Sequence, residues 1–169
     1  IVNLENSRAN IENHLEAVRK KAIEISGYIT PGNRVDDPFI NGRYQRDGYT
    51  VGKYAIRGEG YYPVPFLLFV PDDTIKKHPA LIYLNPKGKA ADAKPGGEIE
   101  KLVRLGYIVA ATDYIGIGET SNTAARGITD GYTAVMLGRS VVAIQAGDIV
   151  RMARYLRSRS DTDPGRVGA

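Results

Sequence analysis

Two short runs of apolar residues, separated by room for one helix, constrain the fold of this chain more than any other feature. Residues 80–84 and 107–111 consist of consecutive apolar side chains and are bounded by residues typical of turns. Strands that are buried on both faces of a parallel sheet have this pattern. Between the runs, residues 98–105 suit a helix that ends at Gly106, because glycine is favoured just after a helix. The stretch therefore predicts a β-α-β unit within an open α/β sheet.

The carboxyl ends of these two predicted strands are where we expect the functional residues. The first strand is followed by residues 85–88, Asn-Pro-Lys-Gly, and the second by residues 113–118, which include Gly116 and Gly118. Open α/β sheets bind their ligands beyond the carboxyl ends of parallel strands. We therefore expect a binding or active site at this edge of the sheet.

The first 70 residues of the chain contain a different set of patterns. Apolar residues at helical spacing predict an amphipathic helix over residues 4–26, and the breakers that follow predict an irregular, wrapping connection over residues 28–41. Residues 49–57 alternate between apolar and polar side chains with one slip at residues 52–53, and residues 63–70 form a second candidate strand with prolines at its start. This arrangement predicts an antiparallel hairpin at the edge of the sheet.

The C-terminal part is predicted to be mainly helical. A loop over residues 121–130 and a short helical segment over 132–138 precede a long helix over 140–157. Residues 166–169 look like the beginning of a further strand, so we expect the sheet to be incomplete at its C-terminal side. The buried face of the long helix is predicted to consist of Ala146, Ile149, Val150, Ala153 and Leu156.

Composition excludes several classes of function. The 169 residues contain no cysteine, which excludes disulfides and thiolate metal sites, and a net charge of +4 is spread along the chain. We therefore predict no nucleic-acid partner, and no apolar run approaches the ~20 residues that span a membrane. His14 and His78 have no partners at ligand spacing, so no metal site is expected.

Three further motifs are weak. Residues 116–121 form only part of a dinucleotide-binding G-x-G-x-x-G motif, and residues 87–89 lack the spacing of a phosphate loop. No cofactor is therefore predicted. Ser140 follows Gly138 as in G-x-S-x-G, but it lacks the final glycine and a preceding strand. We interpret Ser140 as the N-cap of the long helix.

Taken in order, the motifs resemble a known family. The matching segments are Leu-Asn-Pro-Lys-Gly-Lys-Ala-Ala at residues 84–91, Asp-Tyr-Ile-Gly-Ile-Gly-Glu at 113–119, the helix led by residues 137–140, and Asp-Pro-Gly-Arg-Val-Gly at 163–168. Together they are similar to the N-terminal half of an α/β-hydrolase, most of all to bacterial acetyl xylan esterase-like and glucuronoyl esterase-like proteins. Asn85 stands where the family usually has histidine, and Ile115 where it usually has arginine.

This resemblance implies a three-layer α/β-hydrolase fold divided at residue 43. Residues 1–43 would form the N-terminal helix and its wrapping connection, and residues 44–169 the N-terminal half of the hydrolase domain. A serine nucleophile, its histidine and its acid are then expected beyond residue 169. Asp113 would be a structural acid that holds the turn after its strand.

The resemblance also implies an oxyanion hole that draws a backbone donor from the loop after Leu84. Pro86 has no N–H, so Lys87 is the first candidate and Gly88 the second. The alternative, that Lys87 merely occupies a tight turn, stays open. Asn85, Tyr114 and Ile115 are the candidates for lining the substrate pocket.

The expected substrate is a small-molecule or polysaccharide carboxylic ester, hydrolysed by a bacterial protein of the periplasm or the exterior. The remaining C-terminal half would be a partner of this segment, either in the same chain or separate from it. Two alternatives remain: a peptidase similar to prolyl oligopeptidase, and a non-catalytic α/β binding fragment.

Overall fold

A six-stranded mixed sheet organises the chain. The computed structural model describes residues 8, 10–33, 35, 37–73, 77–121 and 128–169. In chain order the helices and strands are α1 (Ile11–Ser26), β1 (Phe39–Arg46), β2 (Tyr49–Arg57), β3 (Pro63–Pro71), β4 (His78–Tyr83), α2 (Glu98–Arg104), β5 (Ile108–Thr112), α3 (Ile128–Met136), α4 (Val141–Ser158) and β6 (Thr162–Gly168). The strand order is β1-β2-β3-β5-β4-β6; β4 is parallel to β5 and β6, and the other neighbours are antiparallel.

Helices cover both faces of this sheet, as a three-layer fold requires. Consecutive residues of β3 point to opposite faces: Phe66 belongs to one apolar cluster and Leu67 to the other. Met152 of α4 packs in the first cluster, and Ile99 of α2 packs in the second. Alternation along the strands therefore supplies two cores, one beneath each helix.

The predicted β-α-β unit is confirmed as β4-α2-β5. Leu81 pairs with Val109 in a parallel ladder, and all five residues of β5 are buried. Continuous burial explains why this strand consists of apolar residues apart from Thr112. The two loops that follow β4 and β5 consequently leave the sheet side by side at the same edge.

The edge of the sheet differs from the prediction in one respect. The hairpin predicted from residues 49–57 and 63–70 forms as β2 and β3, but β1 pairs with β2 on the outside and takes the edge position. The irregular connection predicted over 28–41 is therefore shorter than expected. The strand was not predicted because Gly42 interrupts its sequence pattern. Gly42 adopts a φ of 151° at a bulge, where the register shifts after Ile40.

Strands β4 and β6 both begin earlier than their sequence patterns indicate. His78, which precedes the predicted apolar run, is the buried first residue of β4, and its Nδ1 lies 2.8 Å from the carbonyl oxygen of Gly106. Likewise, β6 begins at Thr162 and not at Arg166. An irregularity in the pairing with β4 accommodates Pro164, which has no N–H to donate to the ladder.

The long helix α4 is confirmed, and its buried face was predicted in part: Leu156 lies in the core, and Ile149 and Ala153 pack against it. Of the five predicted residues, Leu156 is buried and the others are half-buried. The face that packs on the sheet comprises Ala143, Gly147, Asp148, Met152, Tyr155 and Leu156. Asp148 was not expected on this face, because the prediction was drawn from the spacing of apolar residues alone.

The first helix is also confirmed, and Gly27 follows its last turn in the left-handed conformation at φ 64°. Its predicted beginning at residue 4 lies outside the described residues, as do residues 122–127 of the predicted loop over 121–130. The short helix predicted over 132–138 begins earlier, as α3. Among the described residues, no helix combines the length and apolarity needed to cross a lipid bilayer.

Candidate functional site

The loops after β4 and β5 are held together by one buried carboxylate. We call residues 85–93 the Asn85 loop and residues 113–120 the Asp113 loop. Asp113, which is 1% exposed, accepts a hydrogen bond from the backbone N–H of Lys89 (2.6 Å to Oδ1) and another from that of Glu119 (3.0 Å to Oδ2). The structural role predicted for Asp113 is thus confirmed, and it extends to the neighbouring loop.

A buried lysine completes this connection. The Lys89 ammonium lies 2.6 Å from Asp113 Oδ2 and 2.6 Å from Glu119 Oε1. Its side chain is 10% exposed, whereas that of Glu119 is 69% exposed. The cation therefore bridges a carboxylate inside the protein and another at its surface, and charge-assisted hydrogen bonds of this kind are stronger than neutral ones.

Two glycines allow the loops to approach each other so closely. Gly118 has a φ of 58°, and a Cβ atom there would lie 2.3 Å from the carboxylate carbon of Asp113. Gly88 has a φ of 90°, and a Cβ atom there would lie 2.9 Å from Asp113 Oδ1. Both positions require left-handed backbone and the absence of a side chain. Contact with Asp113 thereby explains the glycines at positions 88 and 118.

Asn85 accepts hydrogen bonds from the two backbone N–H groups that were predicted to donate to the oxyanion. Its Oδ1 accepts the N–H of Lys87 at 2.8 Å, and its carbonyl oxygen accepts the N–H of Gly88 at 2.9 Å. Asn85 is itself held by Asp92, whose Oδ2 accepts its side-chain N–H at 2.7 Å. Lys87 and Gly88 therefore lie in a tight turn with their amides engaged, and their role as oxyanion donors stays a prediction.

Asp92 also anchors the sheet beneath this turn. Its Oδ2 accepts the hydroxyl of Tyr83, the last residue of β4, at 2.7 Å. This hydrogen bond raises the pKa of Tyr83, since the neutral phenol is the form that donates. Tyr83 and Asn85 thus share one carboxylate, which fixes the Asn85 loop to the strand it leaves.

On its other side the Asp113 loop is held by α4. Ile115 donates its N–H to Asp148 Oδ2 at 3.3 Å and accepts at its carbonyl oxygen from Gln145 Nε2 at 3.0 Å. The carbonyl oxygen of Tyr114 accepts the hydroxyl of Thr120 at 2.6 Å. These contacts involve the backbone of Tyr114 and Ile115, so the prediction that their side chains line a pocket is untested.

Asp148 is a second buried carboxylate, with a mostly neutral environment. It is 1% exposed, its Oδ1 accepts the hydroxyl of Tyr62 at 2.7 Å, and Arg151 Nη1 lies 3.7 Å away. Burial raises the pKa of Asp148 above the ordinary range of a carboxyl group. Burial and the hydrogen bond to Asp148 likewise raise the pKa of Tyr62.

Ser140 has the structural role assigned to it from the sequence. Its hydroxyl oxygen accepts the N–H of Ala143 at 3.1 Å, which makes it the N-cap of α4, and its own N–H donates to Ser26 at the end of α1. The preceding Arg139 forms a bidentate ion pair with Glu59 in the β2–β3 turn. In the part of the chain that the structure describes, no cluster of three or more histidine or acidic side chains is arranged to hold a metal ion.

Sequence reasoning missed four side chains of this region: Lys89, Asp92, Glu119 and Asp148. Lys89 and Glu119 lie inside the quoted motifs, directly after Gly88 and Gly118, but their pairing spans 30 residues. Asp148 could have been found as a carboxylate in line with Met152 and Tyr155 on a helix. For Lys89, Asp92 and Glu119, no local pattern distinguishes the charge from those of a solvated surface.

Comparisons with known proteins bear on the fold. No protein-family model and no curated protein matches the chain. Among solved structures, a protein from Bacteroides fragilis NCTC 9343 that is provisionally assigned as an acetyl xylan esterase superposes with a TM-score of 0.73 at 20% identity, over 90% of this chain and 46% of its own.

Two further structures give the same picture. A glucuronoyl esterase from Solibacter usitatus superposes with a TM-score of 0.60 at 18% identity, over 83% of this chain and 47% of its own. An acetyl xylan esterase from Thermoanaerobacterium sp. JW/SL YS485 superposes with a TM-score of 0.59 at 19% identity, over 79% of this chain and 45% of its own. The chain therefore spans about half the length of these structures. Its architecture is the N-terminal portion of the α/β-hydrolase fold that the resemblance implied.

Proposed function

We propose that these residues form the N-terminal half of a serine-dependent hydrolase of carboxylic esters, with a carbohydrate-linked ester such as an acetylated or glucuronoyl-esterified polysaccharide as substrate. One observation carries the proposal. Two glycine-rich loops meet at the carboxyl ends of β4 and β5, the place where α/β folds bind ligands, in a fold shared with acetyl xylan and glucuronoyl esterases.

The proposed chemistry proceeds through an acyl-enzyme. A serine oxygen attacks the ester carbonyl while a histidine accepts its proton, and the tetrahedral intermediate expels the alcohol, which takes the proton from the histidine. Water then cleaves the acyl-enzyme by the same steps. The serine, the histidine and the acid that orients it belong to residues beyond 169.

The contribution of this half is the wall opposite the nucleophile. The amide of Lys87, or that of Gly88, would donate to the oxyanion of the tetrahedral intermediate. In the resting structure Lys87 donates to the side-chain oxygen of Asn85. The oxyanion would replace this neutral acceptor, and Asn85, Tyr114 and Ile115 would border the bound ester. The proposed substrates are extracellular polysaccharides, which fits a periplasmic or secreted bacterial protein.

Labelling of the full-length protein with a fluorophosphonate probe, followed by peptide mapping, tests this proposal. We expect one labelled serine in a G-x-S-x-G sequence outside residues 1–169. A label on Ser140 would contradict the assignment of the nucleophile. The absence of any label on folded protein would favour a non-catalytic binding fragment.

A substrate panel then separates the two hydrolase classes. We expect hydrolysis of acetylated xylan or of methyl glucuronate esters, with aminoacyl amides left intact. Cleavage of aminoacyl amides without cleavage of these esters would instead assign the protein to peptidases of the prolyl-oligopeptidase kind.

A further inference from the structure

Lys89 is a buried cation that the proposed reaction does not use. Its ammonium contacts Asp113 and Glu119, both of the Asp113 loop, and its backbone N–H also donates to Asp113. The residue is therefore fixed at both ends of its side chain. It lies one residue after Gly88 and two after Lys87, the candidate oxyanion donors.

We propose that Lys89 is a positioning residue, which clamps the Asn85 loop to the Asp113 loop and so fixes the amides of Lys87 and Gly88. The effect on catalysis rests on the proposed function, whereas the clamp itself can be measured without any reaction. Oxyanion donors contribute most when they are already oriented before the charge develops. A lysine that fixes their loop would act on the transition state without touching the substrate.

The charges on the two sides of Lys89 explain why the clamp needs an ammonium. Without the ammonium, Asp113 would still accept hydrogen bonds from two backbone N–H groups. Its buried negative charge, however, would lack a balancing cation. A buried ion that loses its partner is strongly unfavourable. The Asn85 loop and the Asp113 loop would then separate and admit water to the Asp113 carboxylate. This separation would begin at Lys89, next to Gly88.

The Lys89→Met variant of the full-length protein tests the clamp, because methionine keeps most of the length of the side chain and removes its charge. We expect amide hydrogen exchange over residues 87–89 to become at least about tenfold faster than in the wild type. Lys101→Met is the matched control. Lys101 pairs with Glu98 at 2.5 Å on the exposed side of α2, so its loss should leave exchange in the Asn85 loop unchanged.

Steady-state kinetics test the positioning role. For Lys89→Met we expect kcat to fall at least about tenfold while KM stays within about threefold, since an oxyanion donor acts on the transition state and little on the ground state. Glu119→Gln removes only the surface half of the clamp and should fold normally. It should give a smaller change in the same direction in both measurements.

The outcomes distinguish this inference from the function on which it rests. Exchange of residues 87–89 that stays within about twofold of the wild type in both variants would overturn the clamp. Faster exchange with an unchanged kcat would overturn the positioning role alone. Faster exchange in a protein that neither binds the fluorophosphonate nor cleaves esters would support the clamp and overturn the proposed hydrolase.

Discussion

Asp113 and Asp148 are each 1% exposed and each holds the Asp113 loop, yet their surroundings differ. Asp113 contacts the Lys89 ammonium and two backbone N–H groups. Asp148 contacts a phenol and one backbone N–H, and the nearest guanidinium nitrogen, that of Arg151, is 3.7 Å away.

The difference shows that burial alone does not decide what a carboxylate does. A charge inside a protein is retained when a cation and oriented donors replace its water. Asp113 has such partners and can join two loops through fixed charges. Asp148 has mostly neutral ones, so burial dominates and raises its pKa. One loop is thus held by an ion pair on one side and by a carboxyl group sensitive to pH on the other.

Removing Asp113 should have the largest effect. In Asp113→Ala the Lys89 ammonium loses its buried partner, and we expect the free energy of unfolding to fall by about 3–5 kcal/mol. Urea denaturation followed by circular dichroism measures the change. Glu98→Ala is the control, because the exposed pair of Glu98 with Lys101 should contribute less than about 1 kcal/mol. Equal effects of the two variants would contradict the central place given to Asp113.

A methyl group at Gly118 should be nearly as damaging. In Gly118→Ala the new Cβ atom meets the Asp113 carboxylate at 2.3 Å in a left-handed backbone, and we expect a loss of about 2–4 kcal/mol. Gly60→Ala separates the two causes. Gly60 has a φ of 70°, but among the described residues beyond its chain neighbours no atom lies within 4 Å of where a Cβ would sit, so it should lose only about 1 kcal/mol. Similar losses at both sites would show that contact with Asp113 is unimportant.

The neutral partner of Asp148 should matter in a pH-dependent way. Tyr62→Phe removes a hydrogen bond that favours the ionised carboxylate, so the pKa of Asp148 should rise further. Because the pKa is already above its unfolded value, ionisation costs stability as the pH rises through and beyond the ordinary carboxyl range. The variant should therefore lose about 1–2 kcal/mol at pH 7 and less near pH 4.

Tyr61→Phe is the control for this experiment, since Tyr61 is adjacent in the chain and 79% exposed. Chemical denaturation at several pH values gives the comparison. A loss in Tyr62→Phe that is constant with pH, or that grows as the pH falls, would contradict the contrast between the two aspartates.

The ion pair between Arg139 and Glu59 is partly exposed, and it serves as a reference for the two buried aspartates. Its removal should have the smallest effect on stability. Arg139 lowers the pKa of Glu59 through their hydrogen bonds, so the stabilisation is present above the ordinary carboxyl pKa and is lost as the pH falls through the lowered one. A double-mutant cycle of Arg139→Met and Glu59→Gln should give a coupling of about 1 kcal/mol at pH 7. A coupling that persists after Glu59 is protonated would contradict an electrostatic origin.

Local patterns account for the elements that could be predicted from the sequence. The β4-α2-β5 unit, the extent of α4 and the N-cap at Ser140 all follow from residues close together in the chain. Strand β1 was missed because Gly42 and polar side chains conceal it, and its pairing with β2 depends on a bulge. Asp148 was missed because the buried face of α4 was predicted from the spacing of apolar residues alone.

The sequence predicted the location of the candidate site, but only some of the residues that form it. The edge of the sheet and the structural role of Asp113 were expected, since both depend on the strand order and on one residue after a strand. The bridge from Lys89 to Glu119 was not, because it joins two loops that only the folded sheet brings together.

The close approach of Gly88, Gly118 and Asp113 has a consequence for the evolution of this chain. A larger side chain at either glycine would meet the same carboxylate, and a smaller one in place of Asp113 would leave Lys89 without its buried partner. Changes at these positions are thus expected to be strongly epistatic: a substitution that is harmful alone becomes acceptable only after a change at one of the others. The four residues should be inherited as one unit, and homologues that depart from it should depart at several of these positions together.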